Sequence, residues 1–199
     1  MSRSMSRRTV LSLFSATAVS AAMPTVALAA PLAYQLNAGR SNVGFGVSLG
    51  NDTLTGSMPV RSADLSLDFN DITKSRVNVT LNAAGTKMGV FFATDAILSP
   101  DLLDVSRHPT IQFRSTSVRQ GATPSEAVVT GNLTVRGVTR PVTLRTQLTQ
   151  DRSTVGQSNP ELTLILRGAL NREDFDMSAY KGLVGPTVQL DIRASITRA

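Results

Sequence analysis

Val188-Gln189-Leu190-Asp191-Ile192-Arg193-Ala194-Ser195-Ile196-Thr197 alternates without a break. Val188, Leu190, Ile192, Ala194 and Ile196 share one parity; Gln189, Asp191, Arg193, Ser195 and Thr197 share the other. Successive side chains of a strand point to opposite faces, so this stretch is a strand with one apolar and one wet side. A chain built mostly of such strands must gather their apolar faces into one interior.

Working back along the chain, the same pattern recurs. Strands are expected at 34–37, 40–49, 53–61, 63–69 and 75–83, then at 110–118, 126–137, 138–150, 161–170 and 187–198. Arg136-Gly137 joins two of them, and 151–160 and 171–185 read as polar loops. Residues 86–104 break the alternation. Val90, Phe91, Ala93, Ile97 and Leu98 recur closer to helical spacing, and Ser99-Pro100 stops the run. A second short turn is expected at Asp101 to Val105. Many short strands with one helical insert describe an antiparallel sandwich or barrel. Gly44 and Gly46, opposite in parity to Val43, Phe45 and Val47, mark a bend or a close backbone approach and favour closure. The expected fold is therefore all-β: an eight-stranded antiparallel barrel with one short helical insert.

The first thirty residues read as an export signal. Arg3, Arg7 and Arg8 precede an apolar run from Val10 to Val26, and Ala27-Leu28-Ala29 fits a small-x-small cleavage pattern. Ser6-Arg7-Arg8-Thr9-Val10-Leu11 also resembles a twin-arginine signal, so either export route is open. The domain division is thus 1–30 signal peptide and 31–199 barrel, with a periplasmic location expected. Setting aside residues 1–30, whose only charges are those three arginines, lowers the net charge from +6 to +3. The remaining Arg and Lys are scattered, and no Trp is present for base stacking, which argues against nucleic acid. There is no Cys, hence no disulfide, thiol chemistry or thiolate metal site.

Catalytic material is thin. The single His, His108, precedes Pro109 and reads as a loop residue leading into a strand. One His without Cys makes a transition-metal site improbable, and no Gly-x-Ser-x-Gly elbow occurs. The carboxylates Asp101, Asp104, Glu173, Asp174 and Asp176 fit loop solvation and capping better than a cation loop. Apolar supply stands out instead. Phe45, Phe91, Phe92, Phe113 and Phe175 are available to an interior that, in an eight-stranded barrel, holds either side chains or one small ligand.

The run Val129-Thr130-Gly131-Asn132-Leu133-Thr134-Val135-Arg136-Gly137-Val138-Thr139-Arg140-Pro141-Val142-Thr143-Leu144 resembles the signature of the YceI-like, polyisoprenoid-binding family. Tyr34-Gln35-Leu36 with Ser41-Asn42-Val43-Gly44-Phe45, then His108 to Ser115, then Leu170 to Phe175, are similar to further family segments in the same order. The resemblance spans residues 33–197. It implies a lipocalin-like barrel with its helix near the mouth and a long isoprenoid or other lipid in the lumen. No cofactor and no catalytic residue is expected, since the inventory of nucleophiles and bases is thin. Some positions depart from the family pattern: Arg40 stands where His is usual, Ala93 to Ile97 where Arg-Asp-x-His is usual, Leu102-Leu103 where two Phe are usual, and Asp176 where Gly is usual. Polar residues near the helical segment are partly replaced by apolar ones, which points to a less polar ligand end.

The expected ligand-contacting residues are Val43, Phe45, Val47, Val90, Phe91, Phe92, Ile97, Phe113, Leu133, Val135, Phe175 and Met177, with Arg40 and Arg140 offered to a polar headgroup. A transient contact with the membrane, or with a membrane quinone or cytochrome partner, would suit a quinone-carrying variant. Edge strands or a shared mouth could pair two copies as a homodimer. Two alternatives stay open: a structural or interaction barrel with a filled interior, and an enzyme acting on a lipid or peroxide.

Overall fold

The computed structural model describes residues 30–150 and 161–199; the expected signal peptide and the expected loop at 151–160 lie outside them. Eleven strands follow in order: β1 (Leu32–Leu36), β2 (Asn42–Leu49), β3 (Asp52–Met58), β4 (Val60–Leu67), β5 (Arg76–Asn82), β6 (Lys87–Met88), β7 (Thr110–Gln120), β8 (Glu126–Val135), β9 (Val138–Gln150), β10 (Leu162–Asn171) and β11 (Val184–Arg198). One α-helix, α1 (Phe91–Leu98), sits between β6 and β7.

All pairings are antiparallel. The order β1-β4-β5-β7-β8-β9-β10-β11 closes on itself because β1 also pairs with β11, with Leu36 opposite Ile196. This is a closed eight-stranded barrel. Closure satisfies the backbone groups that an open sheet would leave on its edges. Strands β2 and β3 lengthen the wall. β1 and β2 form one course along β11, interrupted by a short 3-10 turn at Ala38–Arg40. β3 and β4 form another, bent at Pro59, which has no N–H to give the ladder. The Pro59 carbonyl still accepts from the Asn82 N–H at 2.8 Å, so the bend leaves the ladder bonded there.

Alternation decides which face is inside. On β11, Val188, Leu190 and Ile192 are sheltered while Gln189, Asp191 and Arg193 are exposed. Their inward neighbours are in register: Leu190 lies opposite Phe45, and Ile192 opposite Val43 on one side and Leu166 on the other. Ser195 departs from the rule by being buried, because its hydroxyl is taken by the buried Glu161 carboxylate. Arg136 and Gly137 both take positive φ (53° and 79°), which makes the β8–β9 connection a two-residue turn of the type that matches strand twist. At Gly44 a Cβ would lie 2.8 Å from the Asp191 carbonyl oxygen, so the expected close backbone approach is real there.

The helix stops where expected, with Ser99 as its C-cap. It stands at the end of the barrel that also holds the β8–β9 turn and the 171–184 connection. Ala83, Leu103, Phe175 and Met177 pack there into one dense cluster with inward residues of β7 and β8. Arg172 organises this end. Its side chain is buried, and its guanidinium donates to the carbonyls of Gly185 (3.0 Å), Ala179 (2.8 Å), Val184 (3.0 Å) and Met177. Asp176 follows in the left-handed region (φ 59°), a conformation Asp tolerates better than most residues other than glycine.

Candidate ligand-binding cavity

The barrel interior is hollow. A cavity of about 290 Å³ runs along it, walled by inward residues of the strands and by Ile97 of α1. That volume is near the lower edge of small-molecule sites, roughly 300–1,000 Å³. At the helix end the wall is made by Ile97, Leu103, Leu170 and Met177, none of them exposed. At the opposite end it includes Phe69, Gln120, Pro124 and Ser125, all exposed, so the cavity reaches the surface there. Inward residues such as Val77, Leu166 and Leu190 line the cavity and are only partly buried.

Two glycines keep the space open. The Phe45 ring lies over Gly56, its cross-strand neighbour, and the Phe113 ring leans over Gly131. With no Cβ beneath them, both rings lie along the wall instead of across the lumen.

Polar groups on the wall are few and nearly all engaged. Ser41 Oγ donates to the Asn37 carbonyl (2.7 Å) and accepts from the Ser195 N–H (3.0 Å). Ser75 Oγ accepts from the Asp68 N–H at 3.0 Å, and Gln120 Nε2 donates to the carbonyls of Thr123 (2.6 Å) and Glu126 (2.8 Å). Thr146 is the exception: its Oγ1 is the one buried side-chain polar atom without a hydrogen-bond partner among the described residues. Among the described residues, Glu126 and Arg193 are the only charged residues of the wall.

Of the residues expected at the ligand, Val43, Phe45, Ile97, Phe113, Leu133, Val135 and Met177 line the cavity. The other five do not. Phe91 and Phe92 are 86% and 68% exposed at the start of the helix, while Ala93 beside them is the residue of that turn that is buried. Val90, just before them, is also exposed. Phe175 is fully buried in the cluster at the helix end, and Val47 lies on β2 outside the wall. Arg40 pairs with Glu161 (2.5 Å) beside the β1–β2 turn, and Arg140 is exposed and donates to the Thr139 carbonyl. Neither arginine is on the wall. Leu190, Ile192, Leu166 and Met58 are on it and were absent from the expected set. The signal for the first two was present, since their parity on β11 already placed them inside.

His108 is not on the wall. It lies against Gly137 beneath the β8–β9 turn, and its N–H donates to the Asp104 carbonyl. The buried Asp104 carboxylate accepts from Arg107 Nε (2.6 Å) and Ser106 Oγ (3.1 Å). Hydrogen bonding from Arg107 holds this carboxyl below its ordinary pKa, helped by Ser106 and the charges of Arg107 and Arg136, against the opposing effect of burial. Among the described residues no group of three or more His, Cys, Asp or Glu could hold a metal ion. What this geometry can do is shelter an apolar molecule from water.

The family model for the YceI-like domain matches residues 34–196. The chain belongs to the YceI-like family. It is 31% identical to a UPF0312 protein of Ectopseudomonas mendocina over 170 residues, covering 82% of this chain and 85% of that one. It is 30% identical to a UPF0312 protein of Pectobacterium atrosepticum over 195 residues, covering 94% and 96%. Among solved structures, Burkholderia cenocepacia BcnA superposes with a TM-score of 0.71 at 18% identity, covering 81% of this chain and 99% of BcnA. A polyisoprenoid binding domain from Saccharophagus degradans superposes with a TM-score of 0.59 at 13% identity, covering 84% and 99%. At these identities the two structures speak to the fold. Within this YceI-like chain the signature run is the β8–β9 hairpin, and its inward residues Val129, Leu133, Val135, Val142 and Leu144 all line the cavity. The Leu170–Phe175 segment supplies Arg172, the anchor of the helix end.

Proposed function

We propose that this YceI-like chain is an exported lipid-binding protein. It holds a polyisoprenoid or a similar amphiphile, such as an isoprenoid quinone, a polyprenyl phosphate or a fatty amide, in the barrel lumen for transport or storage in the periplasm. The observation that carries the reading is the 290 Å³ apolar cavity inside a closed barrel. A fold shared with a domain described as polyisoprenoid binding supports it. So does the apparent signal at residues 1–30.

The energetics are adequate. Each buried methylene contributes ~0.8 kcal/mol, so ten give on the order of 8 kcal/mol before ordering costs. No ionic contact is needed at that scale. Among the described residues the wall holds no nucleophile–base pair, which favours binding over chemistry, and a hollow interior speaks against a filled structural barrel.

Retinol, a fluorescent isoprenoid, tests the reading directly. The chain has no Trp to interfere. A saturable rise in retinol emission, reversed by farnesol, is expected; a flat titration would remove the lipid-binding reading.

A further inference from the structure

One rung of the outer wall gathers arginines. Arg119 of β7 lies in register with Val128 of β8, Val128 with Arg145 of β9, Arg145 with Arg167 of β10, and Arg167 with Asp191 of β11. The three arginines and Asp191 are exposed, whereas Val118, Val129 and Leu144, each one residue along its strand, are buried. The rung therefore faces away from the lumen. Neighbouring strands lie about 5 Å apart, so Arg145 and Arg167 are adjacent cations, and Arg119 stands about 10 Å from Arg145 on the other side. On the next rung Arg193 is exposed opposite Ile165, followed by Gln147 and then Glu126.

Like charges directly opposite each other on two strands are destabilising. Little on the protein offsets this pair. Asp191 reaches Arg167 only at 4.0 Å, with the two side chains 73% and 70% exposed. Among the described residues Arg119 and Arg145 have no ion-pair partner. Arg145→Thr would suit strand and solvent equally without the repulsion. An anion lying over the pair relieves it.

The character of the rung selects the anion. Each of its cations is an arginine, whose planar fork matches phosphate oxygens. None of the exposed large apolar side chains among the described residues lies on β7, β8, β9, β10 or β11. A stable protein interface has an apolar, aromatic core inside a polar rim, and this rung offers no such core. An anionic bilayer attracts cations through charge alone, without shape complementarity. Arg119 also adjoins Gln120, which is exposed at the open end of the cavity, so contact here brings that end to the lipid.

We infer that the Arg119–Arg145–Arg167 rung is a docking surface for the phosphate groups of an anionic phospholipid bilayer. Docking of this kind does not depend on what the lumen holds.

Co-sedimentation of the full-length protein with phosphatidylcholine vesicles, made with and without phosphatidylglycerol, tests it. The wild type should partition more strongly onto the phosphatidylglycerol vesicles. Salt at about 1 M, which screens charges beyond about 3 Å, should abolish the difference. Each arginine near an anionic surface is worth roughly fivefold in partitioning, so Arg145→Gln with Arg167→Gln should lose about 25-fold. Lys87→Gln with Arg140→Gln removes the same charge from exposed positions toward the helix end, and should lose no more than about twofold. The ratio to wild type is the readout, so whatever residues 1–30 add is common to all. Arg145→Gln alone should melt at or above the wild type, because the opposed pair is gone. Equal losses in the two double variants would reduce the attraction to net charge and overturn the rung. Equal wild-type partitioning onto both kinds of vesicle would overturn bilayer docking outright. Tighter binding to polyglutamate than to phosphatidylglycerol, lost with the rung, would assign the surface to an acidic polypeptide and overturn the lipid partner. A lower melt for Arg145→Gln would give that arginine a role in the fold and overturn the inference as well.

Discussion

The ring of Phe45 rests on Gly56: a Cβ built on Gly56 would lie 2.5 Å from Phe45 Cζ. The two residues face each other across β2 and β3. The wall at this point is smooth because one partner is large and the other has no side chain.

Gly56→Ala should therefore narrow the lumen. The new methyl also meets Met88 Sδ at 2.6 Å, and both obstacles are ends of flexible side chains, so the sheet itself survives. The Phe45 ring must swing inward. If it displaces about two methylenes of ligand, retinol affinity falls roughly tenfold. The check is a retinol titration together with a thermal melt. Loss of binding with a near-native melt is expected. The superficially similar Gly131→Ala should behave differently, because its Cβ would also lie 2.5 Å from the Arg114 carbonyl oxygen, a backbone atom that cannot step aside. That variant should lose stability first.

Arg172 should be a stability residue. It satisfies four carbonyls of the 177–185 connection from a buried position. Arg172→Met leaves those acceptors unpaired at the closed end of the barrel. A loss of about 3–5 kcal/mol is expected in urea unfolding, the range for breaking buried charged networks. Arg172→Lys should recover little, since one ammonium cannot reproduce the planar fork.

Much of this architecture could be read from residues alone, and the limits have physical causes. Strand parity is local, so the inward faces of β2 and β11 were legible, as was the helix stop at Ser99. The hairpin at Arg136-Gly137 was legible too, because one glycine between two alternating runs has few other uses. The fate of Phe91 and Phe92 was not. Whether an aromatic pair points inward depends on how the helix is turned against the barrel, and only Ala93 of its first turn is turned in. Arg172 was hidden for the same reason. Within Arg172-Glu173-Asp174 it looks like one more solvated charge, and only the return of residues 177–185 around it makes it buried. Nor could spacing show that β1 and β2 act as one course, since the join is made by β11, more than a hundred residues later.

Exposure of the aromatic pair has its own consequence. Phe91→Ser with Phe92→Ser should shift unfolding free energy by no more than about 0.5 kcal/mol per site, as for surface positions without partners. Retinol affinity should be unchanged. Chemical denaturation of the double variant checks the first statement, and the titration above the second.

Acid should selectively weaken the Asp104 cluster. The folded-state pKa of this carboxyl is lowered, chiefly by the Arg107 hydrogen bond. Its contribution is therefore fully present above the ordinary Asp value of about 3.9 and is lost as pH falls through the lower folded value. Asp104→Asn should melt below the wild type at neutral pH. The gap should close as the pH is taken down past about 3.9. A gap that stayed constant from neutral pH to strong acid would mean that the carboxylate charge plays no part.

The central claim is a hollow barrel that carries a lipid. Native mass spectrometry of the full-length protein, recovered gently from the cells that make it, addresses it most directly. The account predicts a mass above that of the polypeptide, lost on denaturation, with a prenyl or acyl compound in the organic extract. A bare polypeptide mass, unchanged after incubation with farnesylacetone or retinol, would contradict it.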